Sequence, residues 1–183
     1  MEADWEVEVG GDAPVIDADW SGLVDLRNHP ARIHEIQEAH DFPALGDVLV
    51  RLNGSHSPIR TAKCDLWTVD GLDRYELDAS EGDARVGLAC YIDMVADAET
   101  VLANLDAMTR FGRVVSDHLR TVPLRCCRID MVIRGAVFFS GREGFGVTAY
   151  ATGCGVGREA AESRLGAALS ALVDALCPSE NCP

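Results

Sequence analysis

Residues 85–95, RVGLACYIDMV, decide the fold. Val86, Leu88, Cys90, Ile92 and Met94 alternate with Gly87, Ala89, Tyr91 and Asp93. A period of two puts an apolar row on one face of a β-strand and a mixed row on the other. Immediately downstream the period changes. Val101, Leu102, Leu105, Met108, Phe111, Val115 and Leu119 recur at steps of one, three and four, which predicts an amphipathic helix over about 98–120. Asp97 stands where its N-cap belongs, and Pro123 follows its end.

The same grammar extends in both directions. Upstream, IRTAKCDLWTV (59–69) sets Ala62, Cys64 and Leu66 against Lys63, Asp65 and Trp67, a first strand, and the polar residues 70–84 form the loop after it. Downstream, CCRIDMVIRGAVFF (126–139) sets Cys127, Ile129, Met131 and Ile133 against Arg128, Asp130, Val132 and Arg134. Ser140-Gly141 with Gly144 marks a hairpin turn, and beyond it Phe145, Val147, Ala149 and Ala151 alternate with Gly146, Thr148, Tyr150 and Thr152. Gly153, Gly155 and Gly157 are expected to break this fourth strand. Ala161, Leu165, Ala168, Leu169, Leu172 and Leu176 then line a last helix, which Pro178 ends.

Strand, strand, helix thus occurs twice, at an offset of about 65 residues (Ala62 to Cys127). The expected fold is α+β: a four-stranded antiparallel sheet from a duplicated strand-strand-helix unit, with two long helices on one face. Short helices precede it, one over about 30–40 opened by His29-Pro30. A second, over about 42–52, has Asp41 as its N-cap and Asn53-Gly54 at its close. The element order is similar to that of the drug-binding domains of gyrase-inhibitory and SOUL proteins and of the LAGLIDADG endonucleases, with no motif in common. Residues 1–19, rich in Glu and Asp, read as a mobile acidic segment and 179–183 as a frayed tail. Between them lies a single domain, 20–178, made of a helical part (20–57) and two repeats (58–122 and 123–178).

Composition supports one core: 183 residues, 48% hydrophobic and 25% charged. Thirty carboxylates against sixteen Lys and Arg give a net charge of -14, which repels nucleic acid and anionic membranes. No apolar run approaches the ~18 residues of a membrane span and the first twenty residues lack a signal-peptide pattern, so a cytoplasmic location is expected. Seven cysteines, mostly inside strand patterns, read as small buried hydrophobes, with Cys177 and Cys182 the two placed to oxidise freely. No C-x-x-C occurs, and the histidines at 29, 34, 40, 56 and 118 form no H-x-x-x-H pair. Neither a metal nor a cofactor is expected.

What points to function is the sheet face opposite the helices. It should carry Lys63, Asp65 and Trp67, then Tyr91 and Asp93, then Arg128, Asp130 and Tyr150, with Thr61, Arg134, Thr148 and Thr152 among them. Rings attract cations and carboxylates fix charge, so such a face suits a small cationic or amphipathic molecule, or a protein, held without catalysis. Two plainer readings compete: the charges simply pair across strands, or the N-terminal helices cover the rings. An enzyme is the alternative function. It would act through Cys154 in TGCGVGRE (152–159), where a helix N-terminus favours a thiolate, or through the Asp65, Asp93 and Asp130 cluster. An acidic structural or inhibitory partner of a basic protein is a third reading, and a homo-oligomer is compatible with each.

Overall fold

The computed structural model describes residues 1–11, 14–96 and 104–177. Its strands are β1 (Glu2–Glu8), β2 (Ile16–Asp17), β3 (Ile59–Val69), β4 (Val86–Ala96), β5 (Cys127–Val137) and β6 (Glu143–Gly155). Its helices are α1 (Gln37–Asp41), α2 (Pro43–Leu52), α3 (Leu105–Thr121) and α4 (Arg158–Leu176), with a 3-10 turn over Pro30–Glu35. The sheet order is β1-β5-β6-β4-β3, and β2 continues the β1 edge along β5. Both β1 and β2 run parallel to β5, whereas all other pairs are antiparallel. The α+β class is therefore as expected, but the sheet is six-stranded and mixed, not a four-stranded antiparallel one.

The difference arises in residues 1–19. Ala3, Trp5 and Val7 alternate with Glu2, Asp4, Glu6 and Glu8, a period of two that the run of charge conceals. Ala3 is buried, and the Trp5 ring packs 3.5 Å from the point a Gly112 Cβ would occupy on α3. Without β1 the long strand β5 would present an open edge. The segment expected to stand apart from the domain is instead part of its sheet.

All long helices lie on one face. α3 packs over β1 and β5, α4 over β6 and β4, and α2 lies beyond α4 towards β3. Between helices and sheet sit Ile92, Met108, Leu119, Ile129, Met131, Ile133, Leu165 and Leu169, each buried completely or nearly so. Arg51 Nη2 donates to Asp174 Oδ1 at 2.6 Å and fastens α2 to α4. α2 thus extends the helix layer. The 3-10 turn and α1 stand at the β3 edge, where Glu35 and Glu38 share a cleft with Lys63, Asp65 and Tyr91, and Trp67 is left exposed instead of lying beneath the short helices.

Several boundaries differ from expectation for local reasons. The first helix is split by Ile36, whose extended backbone (φ -93°, ψ 110°) separates the 3-10 turn from α1. Asp41 closes α1 instead of capping α2, which starts at Pro43 without a side-chain cap. Within the described residues α3 begins at Leu105, where the Asn104 side chain accepts the Asp106 N–H at 2.8 Å. The expected cap Asp97, with Val101 and Leu102, lies outside the described residues, as do Pro178 and the tail with Cys182. Gly153 and Gly155 do not break β6. A Cβ at Gly153 would lie 2.4 Å from Leu165 N, and one at Gly155 2.5 Å from Ala160 Cβ, so these glycines let α4 lie directly on the strand.

Candidate functional site: the sheet face opposite the helices

Register gathers the eight expected residues onto one face. Asp65 pairs with Tyr91, Tyr91 with Tyr150, and Tyr150 with Asp130, forming one row across four strands. The row on one side runs Trp67, Ala89, Thr152, Arg128, and that on the other runs Lys63, Asp93, Thr148, Val132. Strand β1 adds Glu2, Asp4, Glu6 and Glu8, opposite Arg128, Asp130, Val132 and Arg134 in turn. Those four carboxylates are functional candidates that the sequence reading missed, because they reach this face only through parallel pairing with β5.

Both ends of the face are closed. At one end, residues 15–20 cross from β5 to β3. Val15 and Ala18 N–H groups donate to Gly135 and Val137 carbonyls, and Trp20 Nε1 donates to the Ala62 carbonyl at 2.7 Å. Ile16 covers Gly146 so closely that its Cδ1 is 2.9 Å from where a Cβ would stand. Arg27 then ties the segment down through the carbonyls of Gly54, Ser57 and Ile59. At the other end, the loop 70–84 seats Leu72 over Gly87 and Leu77 against Cys126 and Cys154. Between these ends lie Tyr91 and Tyr150, half-buried, and Trp67, which is 38% exposed. The centroids of Trp67 and Tyr91 are 6.2 Å apart and those of Tyr91 and Tyr150 6.0 Å, each pair tilted. Such a spacing is attractive between rings. The Arg134 guanidinium lies 5.6 Å from the Tyr150 ring centroid, so Tyr91 and Trp67 are the rings without a cation of the chain over them among the described residues.

The charges on this face are only partly spent on one another. Arg128 Nε donates to both oxygens of Asp130, at 2.8 and 2.7 Å. Arg134 grips Glu8 Oε2 through Nε and Nη2 and donates from Nη1 to the Tyr150 hydroxyl at 2.9 Å. Thr148 Oγ1 donates to Asp93 Oδ1 at 2.6 Å. Asp93 is only 9% exposed, and burial holds its carboxyl above the usual range despite the Thr148 bond and the positive charges of Arg134 and Lys63. Burial, with Asp93 and Asp65 nearby, pushes the Tyr91 phenol up to about 12, so it remains a neutral donor. Asp65 accepts only the neighbouring Leu66 N–H, at 2.7 Å, and meets no cation among the described residues. Lys63 makes no ion pair there either, its Nζ lying 5.6 Å from the Trp20 ring centroid. Charge pairing therefore accounts for Glu8 across two strands and for Asp130 within β5, and leaves Asp65 unanswered.

Two clefts flank the tyrosines. One, of about 440 Å³, lies at the β3 edge between Trp20, Glu35, Glu38, Lys63, Asp65 and Tyr91. The other, of about 480 Å³, lies towards β1 between Asp4, Glu6, Arg128, Asp130, Arg134 and Tyr150. Three carboxylates face one lysine in the first and two arginines in the second, and each cleft has a ring in its wall.

The thiol chemistry expected at TGCGVGRE does not fit the geometry. Cys154 is completely buried, and burial raises its thiol to about 11, the opposite of what a nucleophile needs. The three carboxylates are also not a cluster: Asp65 and Asp130 stand at opposite ends of their row, about 14 Å apart at ordinary strand spacing. Among the described residues no three His, Cys, Asp or Glu side chains are placed to share a metal ion, and no helix is long and apolar enough to cross a membrane. Cys177, expected to be freely oxidisable, is half-buried with its Sγ 3.3 Å from the Ser57 hydroxyl. No protein-family model, curated protein or solved structure matches this chain.

Proposed function

We propose that the face between residues 15–20 and the loop 70–84 binds a small amphipathic organic cation without transforming it. The observation that carries this reading is the open row of rings, Trp67, Tyr91 and Tyr150, laid beside an unpaired Asp65 and a half-compensated Asp93. Ring faces supply cation-π attraction and apolar area, and the carboxylates supply charge that a bound cation neutralises. Closure at both ends limits the length of an occupant, which favours a small molecule over a long peptide.

The test is a thermal-shift and tryptophan-fluorescence titration with an aromatic quaternary ammonium, alongside its neutral and anionic analogues. Saturable stabilisation by the cation alone is expected. Tyr91→Ala should weaken it by roughly 3- to 30-fold, the span of one cation-π contact, whereas Tyr91→Phe should retain most of the affinity. Equal shifts with the anionic analogue, or an affinity indifferent to Tyr91→Ala, would sink the proposal.

A further inference from the structure

At the loop-covered end of the sheet, away from the rings, two thiols face each other. The Cys127–Gly153 pairing places Cys126 opposite Cys154, and the Cys154 N–H donates to the Cys126 carbonyl at 2.9 Å. Cys127 points into the helix-side core, whereas Cys126 and Cys154 share a separate apolar cluster with Leu77. The backbone bond and the shared contact with Leu77 place the two side chains on the same side of the sheet. Cys126 stands one residue before the first β5–β6 pair, and where the register carries on, directly opposite residues have Cα atoms about 4.5–5.5 Å apart, inside the range a disulfide accepts. Cys126 also adopts φ +60°, a left-handed conformation uncommon for a residue with a side chain.

We infer that Cys126 and Cys154 form a cross-strand modification site that closes into an intramolecular disulfide, with a low-molecular-weight disulfide as oxidant. In the first step one cysteine thiolate attacks a sulfur of the oxidant, forming a mixed disulfide and expelling one thiolate. The second cysteine thiolate then attacks the protein sulfur and expels the other. Two protein thiols and one small disulfide become one protein disulfide and two small thiols, so electrons and protons balance. The other candidate pairs are less well placed. Cys64 and Cys90 pair with Ile92 and Leu66, which makes them diagonal neighbours, and adjacent Cys126 and Cys127 point to opposite faces.

Leu77 seals the pair, and Arg125 holds the covering loop through both oxygens of Asp78, at 2.8 and 3.3 Å. Access therefore requires the loop to lift. For that reason the test starts from reduced, denatured chain refolded in oxidised and reduced glutathione, then alkylated and weighed intact. The expected product has lost two hydrogens and two alkylation sites. Cys126→Ser and Cys154→Ser should each abolish the loss, and Cys127→Ser should leave it intact. The closed form should unfold roughly 5–10 °C higher than the reduced one. A refolded chain in which every cysteine remains alkylated, or a cross-link that survives Cys154→Ser or vanishes with Cys127→Ser, overturns the inference.

Discussion

Gly153 shows how little room separates strand from helix. A methyl group there meets the α4 backbone at Leu165 and Ala161, neither of which is the far end of a flexible chain. Gly153→Ala should therefore destabilise the protein by about 2–3 kcal/mol or more in urea unfolding, with native-like spectra if it folds. Asp93 makes the opposite kind of prediction. Its folded carboxyl titrates above the unfolded value of 3.8, chiefly through burial, so the native state holds its proton longer than the unfolded chain. Its contribution to stability is favourable at low pH and is lost as pH rises through the folded pKa. The stability of Asp93→Asn relative to wild type should thus increase over that window, read as the difference between their urea midpoints from acid to neutral pH. A pH-independent difference would mean that the Thr148, Arg134 and Lys63 contacts cancel the burial.

At the scale of elements, β1 is the most instructive. It contributes Trp5 to α3 on one side and Glu8 to Arg134 on the other, so one strand completes both the core and the charged face. Trp5→Ala should cost about 2–3 kcal/mol, a fall of roughly 5–10 °C in thermal midpoint for a domain of this size. Glu8→Gln should leave the midpoint nearly unchanged while freeing part of the Arg134 fork, because a partly exposed ion pair contributes little. The strands β3 to β6 and the helices α3 and α4 are legible from periodicity alone, since each has one apolar face long enough to reveal its period. β1 was legible too, in the alternation of Ala3, Trp5 and Val7, but seven residues with four carboxylates look like a solvated run unless the period is counted.

For the molecule as a whole, charge is the dominant global property. The net -14 is concentrated in part on one face, where Glu2, Asp4, Glu6 and Glu8 join Asp65, Asp93 and Asp130. Screening should relieve this repulsion. The thermal midpoint is expected to rise by roughly 2–5 °C between about 0.01 and 0.15 M salt, over which the Debye length falls from ~30 to ~8 Å. A midpoint that falls with salt would show that the Arg128–Asp130 and Arg134–Glu8 pairs outweigh the surplus carboxylates.

By itself the sequence determined which residues share a strand face, because alternation is a property of the extended chain and needs no partner. Lys63, Asp65, Trp67, Tyr91, Asp93, Arg128, Asp130 and Tyr150 were assigned to the solvent side on that ground and stand there together. What only the tertiary structure decided was which strands are neighbours and what lies over them. The order β5-β6-β4-β3 sets Tyr91 against Tyr150, the parallel docking of β1 brings four more carboxylates, and Ile16 and Leu77 close the two ends. Those choices depend on contacts between residues far apart in the chain, where burying one apolar surface against another selects the arrangement and no local period records it.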